Sequence, residues 1–194
     1  MKVRIIPEDF PHDSLILKPI FKAMFAYLAK PNVQIDVHRP RVSGWDAVKK
    51  IDHIQEIIDQ FRMVDLFLLC VDRDGNGQRR AILDKLEAKT RDLLRPSRLL
   101  LAEHAWQEIE VWALAGIEWK LKPTWSWNKI RNERDPKEHF FEPIVQARGL
   151  LSSPGRGRAT LGEEAAQNYA KVRQNCSEIQ ALESRIKQWL ESVR

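Results

Sequence analysis

Residues 66–71 form an apolar run, Leu-Phe-Leu-Leu-Cys-Val, that ends on Asp72-Arg73-Asp74-Gly75-Asn76-Gly77. Two carboxylates spaced i and i+2, where a strand gives way to a glycine-rich turn, suit a hard divalent cation. Mg²⁺ or Mn²⁺ takes oxygen ligands, commonly one or two carboxylates with water and phosphate completing the shell. A further acid, Glu8, follows the short β-branched run 3–6. If the two runs are neighbouring parallel strands, Glu8, Asp72 and Asp74 converge at one sheet edge. The chemistry expected there is phosphodiester cleavage, with a metal on Asp72 and Asp74 polarising the phosphate and Glu8 managing the proton of an attacking water.

Asp, Asn and Gly are also favoured turn formers, so Asp72 to Gly77 alone reads equally well as a solvated turn. Glu8 at a second strand end is what argues for a site. A calcium loop would share Asp72, Asp74, Asn76 and Gly77 with the EF-hand pattern. It fails at the eighth position, Arg79, and the twelfth, Leu83, and a strand rather than a helix precedes it. Further acids stand at Glu103, Glu108 and Glu110. A helix over 104–115 puts Trp106 with Glu110 on one face and Glu108 with Trp112 on another, with Glu103 at its start, where an acid suits the dipole. One or two of these three acids can face the site. His104 is read as a hydrogen-bonded structural residue rather than a proton shuttle.

The elements that must position these residues follow from periodicity. Runs at 3–6, 33–37, 64–71 and 97–102 read as strands, the last two apolar enough to be covered on both faces. Leu17, Ile20, Phe21, Met24, Phe25 and Leu28 mark a first helix, with Asp13 or Ser14 as its cap. Val48, Ile51, Ile54, Ile58 and Phe61 mark a second, capped by Ser43, and Ile82, Leu86 and Leu93 a third. Alternating β-α-β-α-β-α-β order through about residue 103 predicts an α/β fold with a central, mostly parallel four-stranded sheet flanked by helices. Its ligands are expected at the carboxyl ends of the strands. Residues 117–159 lack periodicity and read as an insertion or loop. Residues 160–173 and 176–193 read as closing helices, the latter striped by Ile179, Leu182, Ile186 and Leu190. The expected organisation is a core over 1–116, a basic Trp-rich region over 117–159 and C-terminal helices over 160–194, within one globular domain.

The chain has 194 residues and a net charge of +5. Between Glu118 and Thr160, nine Lys or Arg face five Asp or Glu, so most of the surplus lies there. In that region Trp119, Lys120, Lys122, Trp125, Trp127, Lys129 and Arg131 interleave indoles with cations, a combination able to stack on bases and neutralise phosphates. Arg156 and Arg158 add a basic glycine-flanked loop. Trp side chains on irregular segments also pin those segments to a core, and that reading outweighs the first. Nucleic acid, DNA before RNA, is the expected partner. The start of the chain has only a brief apolar run before Pro7, Glu8 and Asp9. Neither a signal peptide nor a membrane span is expected, and the location expected is cytoplasmic. Cys70 and Cys176 read as buried or incidental thiols.

An acid after the first strand, Asp-x-Asp after the third and a Gln-Glu-Ile-Glu-x-Trp-x-Leu-Ala stretch after the fourth resemble the TOPRIM superfamily, in particular small DUF4276-like members and OLD-family nucleases. The similarity spans roughly residues 3–116. It implies a Rossmann-like TOPRIM fold and a Mg²⁺-dependent nuclease, and it points to service of an ATPase partner in anti-phage defence. It also implies Asp72 and Asp74 as metal ligands, Glu8 as acid/base or shared ligand, Glu110 as the helix acid, and Glu108 second to it. One departure is plain: the family has Gly directly after the first Glu, where this chain has Asp9, Phe10 and Pro11. A glycine there lets the loop approach a phosphate closely. The only tyrosines, Tyr27 and Tyr169, are placed on helices, so hydrolysis is expected rather than a phosphotyrosine link. Two other readings remain. A non-catalytic interaction subunit of the same fold is favoured by the missing glycine. A metal-dependent phosphatase is disfavoured because the paired Asp follows the third strand rather than the first.

Overall fold

The computed structural model describes residues 1–39, 44–118 and 122–193. In chain order these form β1 (Lys2–Pro7), α1 (Phe10–Tyr27), β2 (Gln34–Val37), α2 (Trp45–Val48), α3 (Ile51–Gln60), β3 (Leu66–Val71), α4 (Arg79–Arg91) and β4 (Leu99–His104). There follow α5 (Glu110–Gly116), α6 (Trp127–Asn132), a π-helical turn (Lys137–Phe141) running into α7 (Glu142–Ala147), then α8 (Arg158–Gln167), α9 (Tyr169–Asn175) and α10 (Ser177–Ser192). The fold is α/β. Its four strands are all parallel, in the order β2-β1-β3-β4. No described helix is long and apolar enough to cross a membrane.

All six residues of β3 are buried, because its alternate side chains serve two cores. Leu66, Leu68 and Cys70 join Val3, Ile5 and the apolar face of α1, whereas Phe67, Leu69 and Val71 join Ile54, Ile58, Leu83 and Leu86 of α3 and α4. The first core continues through Trp112, Phe141, Ile144, Leu161 and Ile186, so the helices after β4 cover the α1 side of the sheet. From β1 the chain moves to one side of the sheet and from β3 to the other. The carboxyl ends of β1 and β3 therefore flank the switch point at which ligands bind in open parallel sheets.

Several boundaries differ from expectation, each for a local reason. Helix α1 starts at Phe10 with Pro11 in its first turn, a position where the missing N–H costs nothing. Asp13 is therefore inside the helix, its carboxylate accepting the Asp9 N–H at 2.8 Å. Strand β4 runs on to His104, and Ala105 N–H still donates to Val71 at 2.9 Å. Helix α5 consequently begins at Glu110, not at 104, and Trp106 and Glu108 lie in the loop before it. The second helix is divided into α2 and α3, and its expected cap, Ser43, lies outside the described residues. The expected loop over 117–159 contains α6, the π-helical turn and α7, and it buries Ile130, Phe140, Phe141, Ile144 and Val145. Residues 160–173 divide into α8 and α9 at Asn168.

Strand β4 is an edge strand, and side chains occupy its outer edge. Ala102 N–H donates to Glu87 at 2.7 Å, while the Ala102 carbonyl accepts from Arg80 of α4 and Arg185 of α10, each at 2.9 Å. Arg80 and Arg185 also pair with both Glu87 and Glu103.

Helices α1 and α8 touch backbone to backbone at Gly162, where an added Cβ would stand 2.5 Å from the Leu15 carbonyl oxygen and 3.0 Å from Ile16 Cα. Gly162→Ala is expected to destabilise the protein by about 1–3 kcal/mol, read as a lower urea midpoint at unchanged m-value. Gly77→Ala, with nothing within 4 Å, should leave the midpoint in place.

Candidate metal centre

Strands β1 and β3 pair with Pro7 opposite Cys70; β1 ends there and β3 one residue later at Val71, so Glu8 and Asp72 are the first residues beyond two neighbouring strand ends. Glu8 N–H donates to the Cys70 carbonyl at 3.1 Å, and Asp72 N–H donates to the Glu8 carboxylate at 3.3 Å. One oxygen of Asp72 accepts the Ile109 N–H at 2.8 Å, which draws the loop after β4 over the strand ends. Burial pushes the Asp72 carboxyl well above the usual range, helped by the charges of Asp13, Glu110 and Glu8. Burial raises Glu8 as well, against the opposing charge of Arg79.

Asp74 has a different setting. Its side chain is half exposed, its φ is 49°, and its carboxylate is paired with Arg79. Arg79, the first residue of α4, is buried; it reaches Glu8 at 2.9 Å, donates to the Asp72 carbonyl, and lies 4.2 Å from the centre of the Trp45 ring. Asp72 and Asp74 thus have separate partners: the first carboxylate accepts from the β4 loop, the second pairs with a guanidinium.

The β4 loop is locked to this turn by Gln107, whose φ is 74°. Its carbonyl accepts from Arg73 N–H at 2.7 Å and Asp74 N–H at 3.1 Å, and its side-chain oxygen accepts from Gly75 N–H at 2.9 Å. Two non-glycine residues in the left-handed region, meeting at one place, are backbone strain held by the surrounding contacts.

Two more acids complete the cluster. Asp13 of α1 is buried and pushed up to about 8, by loss of solvent first and then by Glu110, Asp9 and Glu8. Glu110, at the start of α5, is buried against Arg158, whose Nε donates at 2.9 Å and whose Nη2 makes a second contact. Glu108 sits at the margin, accepts the Lys137 N–H at 2.8 Å, and is pushed up to about 7 mainly by burial, with Glu110 adding to the effect. Glu103 does not join; it belongs to the arginine pairs at the β4 edge. Asp13 was readable only as a helix cap, although Pro11 in the first turn was a signal that the helix starts before it.

The cations expected on nucleic acid divide into two groups. Lys122, Lys129 and Arg156 are exposed, whereas Trp119 and Lys120 lie outside the described residues. Arg158 is buried on Glu110, contrary to its reading as part of a free basic loop. Arg131 grips Glu178 through two bonds of 2.6 and 2.9 Å. Trp125 stands edge-on to Phe140 at 4.9 Å, and the Trp127 indole donates to the Asn175 carbonyl at 3.2 Å. These four side chains are spent on holding the segment to the core. Glu178, which the periodicity of α10 gave no reason to single out, also accepts from the Trp112 indole at 3.0 Å and from Trp106 N–H at 3.3 Å.

The donor chemistry of Glu8, Asp13, Asp72 and Glu110 fits a hard cation: all are carboxylates, and the charges of Glu8 and Glu110 raise the proton affinity of both Asp13 and Asp72. No group of three His, Cys, Asp or Glu among the described residues already stands in a coordinating arrangement, so an ion would have to be met by side-chain movement, Arg79 included. No family model matches the chain, and no curated protein or solved structure is significantly similar to it.

Raised carboxyls have a consequence for stability. The folded state keeps the Asp13 proton up to about pH 8, while the unfolded chain releases it near pH 4, so stability falls as pH rises through that window. The limiting slope is about 1.4 kcal/mol per pH unit for each such group. Thermal unfolding in chelator should give a lower midpoint at pH 8 than at pH 5, and Asp13→Asn should flatten the difference. A midpoint that rises over the same interval in the parent protein would contradict this assignment.

Proposed function

We propose that the chain is a Mg²⁺- or Mn²⁺-dependent phosphodiester hydrolase of TOPRIM type, acting on nucleic acid and on DNA before RNA. The observation that carries this reading is the gathering of carboxylates at the switch point of the sheet, Asp13 of α1 and Glu110 of α5 buried, Glu8 after β1 and Asp72 after β3 half-buried. Such a group is costly in a protein without a use for it, and a divalent cation offsets its repulsion. Glu8 and Asp72 would hold the ion, with Asp74 and Glu108 as outer candidates and Asp13 beside them. The ion would supply polarisation of the phosphate and neutralisation of the charge developing on it. Glu8, with its raised proton affinity, suits the proton of an attacking water. Arg79 offers a planar donor set for phosphate oxygens once its present partners are engaged elsewhere. The resemblance to OLD-family nucleases extends the proposal to an ATPase partner in anti-phage defence.

A second reading is favoured by Arg79 itself. Its guanidinium already neutralises Glu8 and Asp74, so a non-catalytic interaction subunit could keep these acids without a metal.

Calorimetry and a cleavage assay separate the two. The enzyme reading expects heat on titration with Mg²⁺ or Mn²⁺, proton release on binding because raised carboxyls must ionise, and metal-dependent cutting. Asp72→Asn and Glu8→Gln should each lower that cutting at least about 100-fold. No binding of either ion, or cutting unchanged in both variants, would reject the enzyme and leave the interaction subunit.

A further inference from the structure

Beside the metal centre, α3 and α4 border a groove of about 370 Å³ lined by Lys49, Lys50, Asp52, Lys85 and Lys89 over a floor that includes Ile82 and Leu86. The four lysines are exposed. Lys49 is paired with Asp46; Lys50, Lys85 and Lys89 make no ion pair among the described residues, and Asp52 is the one acid in the lining. This is a different surface from the Trp-rich segment, whose Arg131 and Arg158 are consumed by internal partners.

Local stability accounts for part of this set: Lys49 is the C-cap of α2 and pairs with Asp46, and Lys89 lies in the last turn of α4, both at helix ends where the backbone dipole favours positive charge. It does not account for Lys50, the N-cap residue of α3, where the dipole disfavours a cation, or for Lys85 in the interior of α4. Charges placed against a local rule are expected where a ligand repays them. Lys85 and Lys89 are one turn apart on α4, about 6 Å along its axis, close to the roughly 7 Å covered by two nucleotide steps of a strand. The groove also connects physically to the acids. Lys49 lies 5.9 Å from the centre of the Trp45 ring, Arg79 lies 4.2 Å from the same ring, and Arg79 holds Glu8 and Asp74.

We propose that this lysine groove is the track for the sugar-phosphate backbone of the nucleic acid, leading a strand past Trp45 to the carboxylates. The inference rests on the phosphodiesterase reading for the class of ligand, but binding to the groove needs no metal and is measured apart from cutting.

The experiment is fluorescence anisotropy of a labelled 30-base-pair DNA duplex with the full chain in EDTA, across a salt series. With about −0.9 in log K against log salt per phosphate engaged, four lysines predict a slope of about −3 to −4. Lys85→Glu with Lys89→Glu should weaken binding at least tenfold at about 50 mM salt and reduce the slope by about 2. Lys22→Glu with Lys187→Glu, exposed lysines outside the groove, should stay within about twofold of the parent. Because Lys85 and Lys89 are exposed and unpaired, the variants should keep the parent's circular dichroism and thermal midpoint. Lys85→Gln with Lys89→Gln, which adds no repulsion, should show an intermediate loss. Single-stranded DNA and RNA of the same length are run in parallel, and the same lysine dependence on either supports the groove.

Parent-like binding by the Lys85/Lys89 variants overturns the proposal, as does absence of binding to all three probes. Mg²⁺ calorimetry on the same proteins tells the two readings apart. Metal binding that persists while the lysine changes have no effect removes the groove alone, and lysine-dependent binding without any metal uptake removes the metal centre alone.

Discussion

Strand β3 is buried on both faces along its whole length, and this constraint organises everything around it. A parallel strand so covered cannot carry a charged residue until it leaves the sheet, so its first polar side chain, Asp72, appears at the carboxyl end. Register with β1 ends that strand one position short of it, where the Glu8 carboxylate accepts the Asp72 N–H. Because β1 and β3 send their chains to opposite sides, no crossover helix passes directly over the two acids, and the space is filled instead by the β4 loop and the first turns of α1, α4 and α5. Each of these arrives with an ionisable group: Asp13, Arg79 and Glu110.

Arginines then decide which of these acids keep a counter-charge. Arg158 takes Glu110, Arg79 takes Glu8 and Asp74, and Asp13 and Asp72 are left to backbone donors. Buried ion pairs of this kind add little net stability relative to apolar residues, but losing one partner is costly, so they hold elements in one arrangement. The Glu178 cluster does the same for the segment after α5, where one carboxylate joins a loop N–H, an indole and a guanidinium from three parts of the chain. The left-handed Asp74 and Gln107 are tolerated within this frame.

Strands and long helices were legible in the sequence because their signals are local. Six consecutive apolar residues ending at Asp72, and the short β-branched stretch Val3-Arg4-Ile5-Ile6 before Pro7 and Glu8, each mark a strand and its end together, and α1, α3, α4 and α10 each repeat their apolar positions over ten residues or more. Helices α6 and α7, at six residues each, are shorter than two turns and leave no period to read. The start of α5 was misplaced because Ala105 continues the β3–β4 ladder through a backbone bond that no side chain announces. Glu8 and Asp72 could be brought together by strand order alone. The pairing of Arg79 with Glu8 spans 71 positions and that of Trp112 with Glu178 spans 66. Nothing in the local spacing of either partner identifies the other.

The outer edge of β4 carries a further implication for assembly. An unpaired parallel strand ordinarily offers its N–H and carbonyl groups to any extended segment that can lie alongside it. Here Glu87, Arg80 and Arg185 occupy the Ala102 donor and acceptor, and they do so from helices on either flank of the strand. The sheet is closed on that side by chemistry rather than by a covering strand. A partner that augments this sheet has β2 as its remaining edge, on the side of the switch point away from β4, and reaches it without disturbing the arginines that hold α10 in place.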